Sequence, residues 1–254
     1  MLGPHAPYTC PPESLQEVIT LAKEKLIPIH THLAETKEEG KKIKEIYNQT
    51  PTQYLYENGL FEQTHVLLAH GVHLTLNDIS YLKGMNGGVA HNPISNLKLG
   101  CGISPIMELI NEKITVALGT DGAGSATTLD MFEEIKTAAW LQKLRFEDPT
   151  TLQAFDVLEM ATRHGATLLN IDENVGTLEV GKKADIILVQ LNKPHLQPVH
   201  SILSLLAYSA NGADVDTTII NGKVVMKNRK LLTIDEEELL FEITSRSKRI
   251  VEDI

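Results

Sequence analysis

The stretch Ile27 to Thr36, IPIHTHLAET, decides the reading of this chain, because an apolar strand pattern there ends on imidazoles and a carboxylate. Side chains two apart on a strand share a face, so His30 and His32 point the same way while Glu35 opens the following turn. Working outward, His70 closes a second apolar run, VLLAH, and Asp121 closes a third, ITVALGTD, ahead of small residues. A histidine at a strand end often does no more than hydrogen-bond a loop carbonyl. Three apolar runs ending in His, His and Asp, with helical patterns between them, point elsewhere. In a parallel α/β protein the carboxyl ends of the strands share one face, where residues distant in sequence converge. His, His and Asp are nitrogen and oxygen ligands suited to zinc or another borderline divalent metal, and Glu35 is left for proton transfer.

The chain has 254 residues, 42% hydrophobic and 22% charged, enough to bury a proper core. No apolar run is long enough to span a bilayer. The start MLGPHAPYTC has neither the basic region nor the apolar core of a signal peptide, so a cytoplasmic location is expected. Cys10 and Cys101 are far apart and form no C-x-x-C pair, which argues against a disulfide framework or a cysteine zinc site. A formal charge of −10 disfavours a phosphate-binding surface. Neither nucleic acid nor a membrane is therefore expected as a partner, whereas a phosphate-free nucleoside is allowed.

From Pro12 onward helix and strand patterns alternate. A helix over 13–26 leads into a strand over 27–32, and Thr36 with Glu39 spells a capping box for a charged helix to about Asn48. A strand over 66–70, a helix over 76–83, a strand over 88–91, a loop NPISNLKLGCG, a helix over 106–111 and a strand over 114–120 follow. Long helices are predicted over 129–144 and 151–169. The stretches 175–191 and 217–226 then read as short β runs, with a hairpin signal at Asn221-Gly222. Asp235 to Ile254 reads as a charged terminal helix. Gly87-Gly88 and Gly122 to Gly124 fit no phosphate loop and mark sharp turns or backbone approaching a ligand.

Six motifs carry a family resemblance: GPHAPYTC (3–10), HLAET (32–36), HGVHL (70–74), HNPISNLKLGCG (91–102), GTDGAGS (119–125) and VGKKADIILV (180–189). Their order and spacing resemble metal-dependent amidohydrolases, above all the 5-methylthioadenosine/S-adenosylhomocysteine deaminases and their chlorohydrolase relatives. The resemblance implies an α/β fold, the second half of a TIM-type (β/α)8 barrel over 1–174. Part of a small β-sandwich over 175–234 and a terminal helix over 235–254 would follow. It implies that His32 and Asp121 bind one divalent metal, zinc before iron or another transition metal. His70 would assist proton transfer or hold the attacking water, Glu35 would shuttle a proton to the purine ring, and His5 would contact the nucleoside. His91 is expected to line the pocket or to hydrogen-bond the NPISN segment. The triplet His30-Thr31-His32 also mimics the H-x-H of the family's first strand, but only three strand runs follow it, too few for that position.

The same resemblance implies hydrolytic deamination of an adenine nucleoside. Guanine or cytosine deamination, triazine dechlorination, and a non-catalytic half-barrel that binds a partner are the alternatives. A complete barrel has eight strands. Four are legible here, so the expectation is a truncated chain without the H-x-H pair and with little activity alone. Two unpaired sheet edges and an exposed apolar interior would then favour a homo-oligomer or association with the missing half.

Overall fold

The structure, a computed structural model, describes residues 1–252. Asp253 and Ile254, the last two positions of the expected terminal helix, lie outside the described residues. Strands β1 (Ile29–Leu33), β2 (Val66–His70), β3 (Gly87–His91) and β4 (Thr115–Leu118) form a parallel sheet in the order β1-β2-β3-β4. Sequential parallel order with helical crossovers makes an arc of a barrel; a doubly wound sheet would reverse direction at a switch point.

Alternation along the strands sets two layers. Ile29, Leu33, Val66, Leu68, Val89 and Val116 pack outward in one core with Ile19, Ile43, Leu55, Ile79, Ile106 and Leu109 of the flanking helices. His30, His32, Leu67, Ala69, Ala90 and Ala117 line a cavity on the other side. The register pairs His30 with Leu67 and His32 with Ala69, so both imidazoles share the inner face, as the spacing predicts.

Several expected elements differ in extent. The first helix ends at Lys25, with Leu26 left-handed (φ 53°) as its cap, and the strand starts two residues late at Ile29. Thr36 caps the helix Lys37–Tyr47 by accepting from the Glu39 N–H. The reciprocal half of the expected box is replaced: the Glu39 carboxylate reaches past Thr36 to accept from the N–H groups of Ala34 and Glu35. The NPISN segment, read as a loop, is the helix Pro93–Lys98, with proline in its first turn. The single helix expected over 151–169 is two, Ala154–Met160 and Arg163–Leu168, broken where Thr162 leaves helical geometry (φ −128°, ψ −92°). At Gly87 and Gly88 it is neighbouring backbone, not a ligand, that comes close: a Cβ there would collide with the carbonyls of Val66 and Thr115.

A second, antiparallel sheet holds β5 (Ile186–Val189), β6 (Val215–Ile220), β7 (Lys223–Lys227) and β8 (Lys230–Leu231) in sequential order. Asn221 and Gly222 both have positive φ (49° and 76°), the geometry that asparagine-glycine hairpins require. A second hairpin turns at Asn228 and Arg229 (51° and 62°), where no glycine announces it. Only 186–189 of the β run expected over 175–191 is strand; Gly176 and Gly181 (φ 95° and 99°) interrupt the extended path before it. Leu196, Ala207, Ala210 and Val215 join the same core as the parallel sheet, so the two sheets share one apolar interior.

The inner face and the β1 edge are less bare than expected. Leu168 closes over Leu67 and Ala117, leaving a cavity of about 250 Å³. The β1 edge is partly satisfied by the N-terminal segment: Leu2 N–H bonds Pro28 O, while His30 and His32 N–H bond the carbonyls of Leu2 and His5.

Leu26 is 85% exposed in a left-handed conformation that costs a side-chain-bearing residue about 1–2 kcal/mol. Leu26→Gly is expected to stabilise the fold by about 1 kcal/mol, a rise in Tm of roughly 2–4 °C by thermal unfolding. An unchanged or lower Tm contradicts this account of the cap.

Candidate active site

His32, Glu35, His70 and Asp121 come together at the carboxyl ends of β1, β2 and β4. The His32 and His70 rings stack with centroids 5.4 Å apart. His70 Nε2 lies 3.9 Å from Glu35 Oε2 and 3.9 Å from Asp121 Oδ2, beyond direct hydrogen bonding and wide enough for a bridging atom. His70 is 1% exposed, while the Glu35 and Asp121 side chains are each 22% exposed. A buried imidazole thus faces two carboxylates that reach solvent.

Backbone geometry aims these groups. Ala34, His70 and Asp121 all have left-handed φ (50°, 75° and 59°), uncommon for residues other than glycine. Such strain, of order 1–3 kcal/mol per residue, gathers where side-chain placement matters more than stability. At Ala34 the turn is held by the buried Glu39 carboxylate, whose two N–H bonds of 2.9 and 2.8 Å fix the direction of Glu35. Burial raises the Glu39 carboxyl above its usual range despite those bonds.

Asp121 is anchored from both sides. The Ser95 hydroxyl donates to Oδ2 at 2.7 Å and the Gly122 N–H donates to Oδ1 at 2.6 Å. Burial pushes this carboxyl upward, but the two hydrogen bonds, helped by His70 and His32, outweigh it and hold Asp121 below the ordinary aspartate range. Asp121 is therefore a charged oxygen donor near neutral pH.

His32 donates from Nδ1 to the His5 carbonyl at 2.6 Å, and Nε2 has no hydrogen-bond partner among the described residues. A carbonyl behind the distal nitrogen is the usual orientation of a metal-binding imidazole. The His5 ring is exposed; it lies 4.8 Å from the His32 ring and bonds Thr9 Oγ1 through Nδ1 at 2.7 Å. Its backbone supports His32 while its ring borders the site. His30 lines the inner cavity beside His32.

His91 departs from expectation. It sits on the outer layer of β3, fully buried, and among the described residues neither ring nitrogen has a hydrogen-bond partner, so the bond expected to NPISN is not made. Burial, with the nearby His70, drives its pKa down to about 3, and it stays neutral. Alternation explains this: His91 pairs with Leu118, one step out of phase with the inward Ala90.

Sequence reasoning missed Ser95, Asn96, Cys101 and Glu134. Asn96 Oδ1 accepts from His70 Nδ1 at 2.9 Å, and the Cys101 thiol points at Glu35 Oε1 at 3.9 Å. Glu134 is wholly buried on the helix Met131–Phe146, accepting from the Ile94 N–H with Oε2 while Oε1 has no partner among the described residues. The signal available for the first two was proline after Asn92, which starts a helix and turns both side chains toward the strand ends.

A metal fits part of this arrangement. The free Nε2 of His32 and the charged Asp121 match the nitrogen and oxygen preferences of zinc. Catalytic zinc takes three protein ligands, and among the described residues no group of three or more His, Cys, Asp or Glu side chains is placed to hold a metal ion. His32 and Asp121 by themselves do not make a complete shell. Nor is any helix among the described residues long and apolar enough to cross a membrane.

With a parallel arc of barrel and His, Glu, His and Asp at its strand ends, the chain belongs to the Amidohydrolase family, whose sequence profile matches residues 1–225. Among its relatives, the 5-methylthioadenosine/S-adenosylhomocysteine deaminase of Desulforudis audaxviator (strain MP104C) is 48% identical over all 254 residues, which span 59% of that protein. The deaminase of the same name from Caldanaerobacter subterraneus subsp. tengcongensis is 48% identical over 99% of the chain and 58% of its own length. The chain thus spans under two thirds of the curated relatives it matches. In structure it is similar to an adenosine deaminase from Xanthomonas campestris with bound zinc, with a TM-score of 0.95 and 36% identity over 98% of this chain and 57% of that one. It is also similar to atrazine chlorohydrolase from Arthrobacter aurescens TC1 complexed with zinc, with a TM-score of 0.86 and 27% identity over 96% and 54%.

Glu134 supplies a pH test. Burial above all, then the charges of Glu133, Asp121 and Asp130, lifts its carboxyl to about 7, against the Ile94 bond, which lowers it. A carboxyl raised on folding favours the folded state while protonated, so stability falls as pH climbs from about 4.5 through about 7. Glu134→Gln, which keeps an acceptor for Ile94, is expected to raise Tm clearly at about pH 8 and little at about pH 5. Equal effects at both pH values contradict a raised carboxyl.

Proposed function

We propose that this chain carries the carboxyl-terminal part of the active-site face of a hydrolase that deaminates an adenine nucleoside, 5-methylthioadenosine or S-adenosylhomocysteine. The observation that carries the reading is the meeting of His32, Glu35, His70 and Asp121 around one gap. The 48% identity to curated deaminases of those nucleosides supports the substrate class.

Each side chain has work that its geometry suits. A zinc ion bound by His32 and Asp121, with donors from elsewhere, would supply a water of lowered pKa. Asp121, held ionised by Ser95 and Gly122, accepts a proton from the attacking water. His70 lies between the two carboxylates and orients that water by hydrogen bonding. Glu35 delivers a proton to the ring nitrogen as C6 becomes tetrahedral and recovers one from the new hydroxyl as the carbonyl forms, while the proton taken up by Asp121 passes to the amino group, which departs as ammonia. His5 and the cavity beside His30 and Leu67 border the purine.

With two metal donors among the described residues, the chain alone is proposed to bind zinc poorly and to turn over little. A second polypeptide, another copy or the part of the relatives that this chain does not span, would complete the shell. The fold likeness to atrazine chlorohydrolase favours a second reading, hydrolysis of another cyclic amidine or a triazine, because the same strand-end face serves either chemistry. A folded half-barrel that only binds a partner is the third.

The test mixes the chain, with zinc, with the portion of the Desulforudis audaxviator relative that it does not span, and follows loss of adenine absorbance. Turnover of the thioether nucleosides, falling roughly 10²–10⁴-fold in Glu35→Gln, is expected. Turnover of a chlorotriazine or guanine instead establishes the second reading; a stable complex without turnover on any of them establishes the third.

A further inference from the structure

The helix Pro93–Lys98 brings Asn96 against the back of the His70 ring. Asn96 Oδ1 lies 2.9 Å from His70 Nδ1, and both residues are 1% exposed. An amide oxygen can only accept, so the ring nitrogen facing it carries a proton. This is the one hydrogen bond that the Asn96 side chain makes among the described residues, and its amide nitrogen is buried without a partner. The other ring nitrogen of His70, Nε2, faces Glu35 and Asp121 at 3.9 Å each.

We propose that Asn96 is a positioning residue that fixes His70 as the Nδ1–H tautomer, presenting the Nε2 lone pair to the gap between Glu35 and Asp121. Which nitrogen of a histidine holds the proton is set by the hydrogen bond its other nitrogen makes. Here that partner belongs to a helix whose neighbouring residue, Ser95, anchors Asp121. One short helix therefore sets the protonation pattern on both sides of the gap. Asp121, held ionised, is an acceptor, and His70 in this tautomer adds a second. The gap then suits a molecule that donates, such as water, and His70 receives a hydrogen bond at Nε2 instead of giving one. The inference rests on the reading of His70 as a working residue of the deaminase face, and it assigns the direction of its hydrogen bond.

The test is long-range proton–nitrogen correlation NMR on the chain labelled with 15N-histidine, in mildly alkaline buffer where imidazole is neutral. His70→Gln identifies the His70 signals by their loss. A pyrrole-type Nδ1 and a pyridine-type Nε2 are expected in the unsubstituted chain. Asn96→Ala is expected to shift His70 toward the Nε2–H form, and Asn96→Asp, which keeps an acceptor, is expected to retain Nδ1–H. A pyrrole-type Nε2 in the unsubstituted chain, or a tautomer unmoved by Asn96→Ala, overturns the proposal. Should Asn96→Ala not fold, the unsubstituted and Asn96→Asp spectra decide it, since an Nε2–H ring in either is contrary. No turnover enters these readouts, so failure here leaves the deaminase reading standing, and an inactive complemented protein leaves the tautomer assignment standing.

Discussion

The parallel register of β1, β2, β3 and β4 is the constraint on which the rest of the molecule depends. It pairs His32 with Ala69 and Leu33 with His70, which sets the histidine of one strand end beside the histidine of the next. A slip of one residue would turn His30 and His32 into the layer filled by Ile29, Thr31 and Leu33, burying two imidazoles without partners. The apolar outer layer forbids that slip. Core packing against the helices thereby fixes the chemistry on the opposite face.

The site is built at some cost to stability. His70 and Asp121 hold left-handed backbone without being glycine, and among the described residues one oxygen of buried Glu134 and the amide nitrogen of Asn96 have no partner. These features cluster around the helix Pro93–Lys98, which reaches Asp121 through Ser95, His70 through Asn96 and Glu134 through the Ile94 N–H. Satisfied interactions elsewhere offset such local strain, as expected where placement matters more than local energy. This helix and the Glu39 clamp behind Glu35 are what make the strand ends a site.

Periodicity made the inward pair His30 and His32 and the four-stranded parallel order legible, because both follow from local alternation and spacing. The Asn221-Gly222 hairpin was legible for the same reason: its turn chemistry is carried by two residues. Pro93–Lys98 was not. Serine and asparagine compete with helical backbone and read as loop, yet here their side chains are spent on Asp121 and His70, a tertiary fact. Glu39 stands at the capping-box position, but the strained turn at Ala34 offered it two N–H groups in place of one. The register sets His91 one residue out of phase with the inward Ala90, so among the described residues it neither lines the cavity nor bonds the NPISN segment, the two roles open to it in the sequence. Leu168 closing over Leu67 and Ala117 follows from the break at Thr162, which no local pattern announced.

On the proposed function, the aligned strand ends present His32 and Asp121 to a metal ion. Calorimetric titration of the chain with zinc, alongside His32→Ala and Asp121→Ala, is the decisive measurement. One weak zinc site, weakened further by either substitution, is expected. Tight stoichiometric binding, or weak binding that neither substitution alters, would contradict it.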